Sequence, residues 1–317
     1  MRRGGPPMLP LDPAHIPPFS RLERGARGLR FAATGAPADA SATPGAPLRA
    51  VAGAPAVVHR ATVVAEGRLV LASGPGVAFS IATPRMHVIH DRRPPGLDAA
   101  AGAAGANAGL LHADDGWRAV VLPSLGDIAA GLGKGPVAIR ADGRRLALLD
   151  GHAVEEHDLG TDGPVASHPG PAEALAYDAS GELVVAAGGR VGRPGLAPGD
   201  GSPVIALAAA SAAPRVAALH ADGTVSVFEP GADEPLYVWA SPVADAGAIA
   251  LTADGALVAL GTPTADEPVA ALADARDGAQ VRRVVGARAL APAPEPDVFA
   301  VAGDWGCAWL TPPEEER

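Results

Sequence analysis

Two histidines flank a pair of carboxylates in the run His-Ala-Val-Glu-Glu-His, residues 152–157. Zinc hydrolases hold their metal through two histidines on one face of a helix, with a glutamate between them as general base. Here the alternation of apolar and polar residues predicts a strand. A five-residue separation in a strand puts His152 and His157 on opposite faces, so solvated strand residues are expected rather than a metal site. The run Gly-Leu-Gly-Lys-Gly-Pro around Lys134 has the composition of a phosphate-cradling loop. That loop requires glycine where Ile128 stands and serine or threonine where Gly135 stands, and it fails at both. Cys307 is the single cysteine, which leaves no intrachain disulfide and no multi-cysteine metal centre. It lies in an apolar run without a histidine beside it, so it reads as a buried structural thiol and not a nucleophile. No Gly-x-Ser-x-Gly elbow occurs, and neither a catalytic residue nor a cofactor is expected.

Acidic residues gather in predicted turns: Asp114, Asp115, Asp150, Asp222, Asp266, Glu267 and Asp304. A face carrying such a ring of carboxylates would attract a cation or a basic peptide. Aspartate before glycine is also ordinary turn chemistry, and Asp142, Asp162, Asp254 and Asp277 fall in turns at the other end of the same strands. Trp305, in the turn Gly-Asp-Trp-Gly, is expected to be exposed and is the best single contact residue. Trp117, Trp239 and Trp309 fall in or beside strands, where packing between sheets is the expectation. His220 reads as a strand-end residue and not a ligand.

The elements that position these residues follow from an internal repeat. Val137–Leu149 (VAIRADGRRLALL), Leu175–Ala187 (LAYDASGELVVAA) and Ile249–Gly261 (IALTADGALVALG) each consist of an apolar run, a tight turn ending in glycine, and a second apolar run. Asp-Gly between alternating hydrophobics is a strong hairpin signal, because glycine takes positive φ without a steric penalty. The turn glycines Gly67, Gly143, Gly181 and Gly255 are separated by multiples of about 37–38 residues. Four-stranded propeller blades repeat at about 40–45 residues. Seven pairs of second and third strands can be drawn, with second strands starting near 68, 109, 145, 182, 215, 256 and 297. The fourth pair is the weakest, since residues 190–202 are rich in glycine and proline.

The expected fold is therefore all-β: a seven-bladed β-propeller of four-stranded antiparallel blades. Only two strands remain after Val298, so the last blade is expected to be completed from the N-terminal side, near Leu48–Ala52. A closed ring removes the unpaired sheet edges that an open stack would expose. An up-and-down barrel or a β-sandwich is the alternative, but neither requires a four-strand period.

The pattern resembles a WD-repeat propeller of degenerate bacterial type from about Leu48 to Leu310. His157-Asp158 and Phe228-Glu229 stand where that family often ends a third strand with Trp-Asp, whereas its opening Gly-His pair is missing. The resemblance implies a rigid platform that assembles other proteins through its loops and rims.

Composition limits the partners. The chain has 317 residues, of which 48% are apolar, and a net charge of −10. Without basic clusters, such a surface argues against nucleic acid or an anionic membrane as partner. Lys134 is the only lysine, and with the Ala, Gly and Pro bias this suggests a GC-rich bacterial genome or a virus infecting one. Prolines follow Arg2 and Arg3 where a secretory signal would have an apolar core. The most apolar window, Pro203–Pro214, is well short of the ~20 residues of a membrane span. A cytoplasmic protein is expected, free or within a viral or bacterial particle.

Three regions result: a Pro/Gly-rich extended arm at 1–45, the propeller at 46–311 and an acidic tail at 312–317. Proline at the density seen in the arm favours extended, polyproline-like structure. Met8, Leu11, Ile16 and Phe19 are its candidate anchors on a partner, with Arg21 and Arg24 pairing acidic surface. The expected function is a non-catalytic protein-binding scaffold or structural assembly subunit. Its candidate contacts are this arm and a propeller face bearing Asp114, Asp115, Asp222, Asp304 and Trp305. The alternatives are a lactonase-like propeller hydrolase or a small-ligand sensor with its site at the central channel.

Overall fold

The computed structural model describes residues 19–25, 28–33, 59–74, 77–82, 87–92, 99–113, 116–122, 124–131, 135–159, 163–232, 234–294, 299–303 and 306–310. Strands make up its regular structure, and there is no helix among the described residues. The N-terminal strands are β1 (Phe19–Gly25) and β2 (Gly28–Ala33). The first sheet holds β3 (Arg60–Val64), β4 (Leu69–Gly74), β5 (Val77–Ala82) and β6 (His87–Arg92). The second holds β7 (Ala99–Gly102), β8 (Ala108–Ala113), β9 (Gly116–Val121) and β10 (Gly126–Gly131). In the third are β11 (Val137–Ile139), β12 (Arg145–Asp150), β13 (Ala153–Asp158) and β14 (Pro164–Pro169). The fourth has β15 (Ala174–Tyr177), β16 (Leu183–Ala187) and β17 (Arg190–Gly192). The fifth runs β18 (Val204–Ala209), β19 (Val216–His220), β20 (Thr224–Phe228) and β21 (Tyr237–Ala240). The sixth contains β22 (Ala248–Leu251), β23 (Leu257–Gly261), β24 (Val269–Asp274) and β25 (Gln280–Val285). The seventh contains β26 (Ala287–Pro292), β27 (Phe299–Gly303) and β28 (Gly306–Leu310).

Each of the seven sheets pairs its own consecutive strands antiparallel, in chain order. The repeat located them well. Second strands begin at 69, 108, 145, 183, 216, 257 and 299. Turn glycines Gly67, Gly143, Gly181 and Gly255 have φ of 86°, 68°, 81° and 70°, the left-handed region that the hairpin reading requires. Aspartates close the same turns: Asp142 Oδ1 accepts from the Arg144 amide at 3.0 Å, and Asp254 Oδ1 from the Ala256 amide at 3.0 Å.

Two sheets fall short of four strands and a third exceeds it. The fourth sheet has three, because residues 193–203 carry three glycines and three prolines in the stretch where an outer strand would lie. The seventh also shows three, and Leu48–Ala52, expected to complete it, lies outside the described residues. The expected arm differs too. Part of it, β1 and β2, forms a hairpin instead of an extended segment, and β1 pairs parallel with β25, so the sixth sheet runs β2-β1-β25-β24-β23-β22.

Apolar clusters lie between consecutive sheets. Val64 and Leu71 meet Leu111 and Val120; Leu110 and Trp117 meet Leu146 and Leu148; Val154 meets Leu175, Tyr177 and Val185. The series continues with Val184 against Val216 and Phe228, Leu219 and Val225 against Leu260, and Leu272 and Val284 against Phe299 and Val301. Strands β26 and β27 of the seventh sheet contact β3 of the first. A sheet covered on both faces has no solvent side, so its central strands read as unbroken apolar runs. β16 (LVVAA) and β19 (VAALH) are buried at every position. Small residues allow close approach: a Cβ on Gly102 would collide with the Val64 side chain of the neighbouring sheet.

Candidate functional site

The first strand of every sheet is an edge of that sheet, and all seven first strands line one cavity of about 640 Å³. Alanine is its commonest lining residue, with Ala61, Ala138, Ala176, Ala208, Ala250 and Ala291 coming from different sheets. Five charged or titratable residues line it: Arg60, His112, Glu173, Tyr177 and Asp178. The two acids are engaged by the protein. Glu173 Oε2 accepts from the Val204 amide at 2.9 Å and the Gly189 amide at 3.3 Å, tying the fourth sheet to the start of the fifth. Asp178, 5% exposed, caps the β15–β16 turn through Ser180 N (2.8 Å) and Glu182 N (3.1 Å), and pairs with Arg193 at 2.7 Å. Burial works to raise its carboxyl, but the Ser180, Arg193 and Glu182 contacts outweigh burial and hold it below the usual carboxylate value. Arg60 has no acidic partner among the described residues.

A second polar cluster joins the third and fourth sheets. Glu156, 8% exposed, receives the Tyr177 hydroxyl at 3.0 Å, lies 3.1 Å from His168 Nε2 and is 3.8 Å from an Arg145 guanidinium nitrogen. Burial first, then the negative charge of Glu156, pushes the Tyr177 phenol far above its ordinary value, so it stays a donor. The reverse face of β13 puts His157 Nε2 3.2 Å from Glu155 Oε2, with the His157 ring 6.3 Å from that of Trp117. The Glu-Glu pair was therefore split by the strand alternation, one carboxylate to each face. His152 sits apart from both, exposed in the β12–β13 turn. Among the described residues no group of three or more His, Cys, Asp or Glu is placed to hold a metal ion.

The sequence reading missed Glu156 as an inter-sheet anchor. A signal was present: two adjacent acids in a strand of a doubly covered sheet force one inward, where it needs a partner. Its partners, His168 and Tyr177, are 12 and 21 residues away and no spacing announces them.

Of the acids in turns between second and third strands, Asp150, Asp222, Asp266 and Glu267 are all exposed. Asp222 Oδ1 accepts from the Thr224 amide at 2.9 Å, which with the Thr224 hydroxyl draws its carboxyl below the ordinary value. Phe19, Arg21 and Arg24 lie in β1. Met8, Leu11, Ile16, Asp114, Asp115, Asp304 and Trp305 lie outside the described residues. Trp239 is packed between the fifth and sixth sheets, its indole N–H donating to the Ala275 carbonyl at 3.2 Å. His220 ends β19, 3.0 Å from both the Ser202 carbonyl and Ser226 Oγ. The outer strands expose branched aliphatics: Ile128 on β10, Val165 on β14, Val238 on β21 and Val281 on β25, all 43–58% exposed.

No protein-family model and no curated protein matches the chain.

Proposed function

We propose that the seven sheets close into a seven-bladed β-propeller of WD-repeat-like type, and that the protein is a non-catalytic scaffold or structural assembly subunit. Contact of the seventh sheet with the first, and seven first strands around one cavity, support the ring. Third strands β13 and β20 end at Asp158 and Phe228, which supports the resemblance to repeats that often end a third strand with Trp-Asp.

The observation that carries the scaffold reading is the pairing of β1 along β25. It is strand addition to an outer edge, a recurrent mode of protein recognition in which main-chain hydrogen bonds supply affinity and side chains supply specificity. The exposed aliphatics of β10, β14 and β21 mark comparable edges that carry no added strand in their sheets. In this reading the partner is a protein, not nucleic acid or membrane, and the place of action is the cytoplasm or a viral or bacterial particle.

The test compares full-length protein with a chain lacking residues 1–45 in affinity purification from the native source, followed by reconstitution with the purified partner. Partners that reconstitute with the full chain and are lost on truncation are expected. Two monodisperse monomers with no reconstitutable partner would overturn the scaffold reading and shift attention to a ligand or substrate of the cavity.

A further inference from the structure

We propose that the central cavity binds a short extended peptide whose free carboxylate is held by Arg60. Three features of the wall select that ligand. The wall is made of strand edges, and an edge strand leaves one row of N–H and C=O groups without a partner in its own sheet. An alkyl chain entering the cavity would strip water from those rows and give nothing back, whereas peptide amides pair with them.

Alanine is the commonest residue of the wall, which leaves room for a backbone to approach. First strands run from three to six residues, so a peptide of four residues, about 13 Å long when extended, matches the depth of the wall. The volume of about 640 Å³ also falls in the range of ligand cavities.

Charge fixes the terminus. Glu173 and Asp178 already accept hydrogen bonds from the protein. Arg60, at the start of β3 on the cavity wall, has no acidic partner among the described residues. An arginine fork holds a carboxylate through two parallel hydrogen bonds, which an amide cannot reproduce. The site is separate from the rim and from β1, so the chain lacking residues 1–45 retains it.

Isothermal calorimetry with N-acetyl-tetra-alanine as the free acid, and with the matching C-terminal amide, tests the proposal. The acid binds and the amide binds at least tenfold more weakly. Arg60→Gln weakens the acid about tenfold and leaves the amide unchanged. Failure of the acid to bind at millimolar concentration overturns the proposal. So does equal affinity for acid and amide, or an acid affinity that Arg60→Gln leaves unchanged.

Discussion

At the scale of single residues, aspartates that order turns are the charges most tightly tied to the fold. Asp142, Asp178, Asp222 and Asp254 are all held below the ordinary carboxylate value, chiefly by Arg140 for Asp142, Thr224 for Asp222 and Thr252 for Asp254. A carboxyl that is more acidic in the folded state stabilises the fold at every pH above its unfolded value, about 3.9. That contribution disappears as pH falls through the lower folded value. The melting temperature is therefore expected to be flat from neutral pH to about 5 and to fall steeply below about 4. Asp178→Asn keeps Oδ1 for the Ser180 and Glu182 amides and the Ser180 hydroxyl but replaces the charged Oδ2 that pairs with Arg193 by an NH2, so it lowers the melting temperature at pH 7 and makes the acid decline shallower. Thermal melts of both proteins between pH 2.5 and 7 check this, and parallel curves would refute it. The turn aspartates Asp142, Asp222 and Asp254 were visible in the sequence because Asp-Gly acts within four residues. Glu156 was not, since its role depends on sheets meeting across the core.

At the scale of elements, hairpins were legible and their additions were not. The pairs Val137–Leu149, Leu175–Ala187 and Ile249–Gly261 carry their own turn chemistry, so register follows from a few adjacent residues. The β1–β2 hairpin has a weaker local signal, with prolines before it and glycines at its turn, and its docking on β25 joins positions more than 260 residues apart. No periodicity reports such a contact. The docking has a measurable consequence: Phe19, Ser20 and Arg21 pair with Arg283, Val284 and Val285. Deleting residues 19–33 uncovers one edge of β25 and leaves its ladder with β24 intact. Amides of residues 280–285 are then expected to exchange faster by an order of magnitude or more, as edge groups gain access to water. Amides of β23 stay protected. Hydrogen exchange read by mass spectrometry separates the outcomes, and unchanged exchange at 280–285 would mean that β1 does not cover that edge.

At the scale of the whole molecule, the proposed ring differs from an open stack in how damage spreads. In a linear array each unit touches only its neighbours, and a weakened terminal unit affects one side. In a ring the seventh sheet supports both the sixth and the first. Phe299, 2% exposed, packs in the cluster shared with Leu272 and Val284 of the sixth sheet, while β26 and β27 also contact β3. Phe299→Ala deletes a large buried side chain, a change that costs about 3–5 kcal/mol. That is a sizeable part of the 5–15 kcal/mol that holds a typical domain together, so local opening becomes measurable before global unfolding. With the ring closed, exchange accelerates on both sides of the lesion, in residues 257–274 and in residues 60–74. Residues 174–187, in one of the two sheets farthest from the seventh around the ring, change least. Acceleration at 257–274 with residues 60–74 as protected as in the wild type would mean that the seventh sheet ends an open stack and does not close a ring.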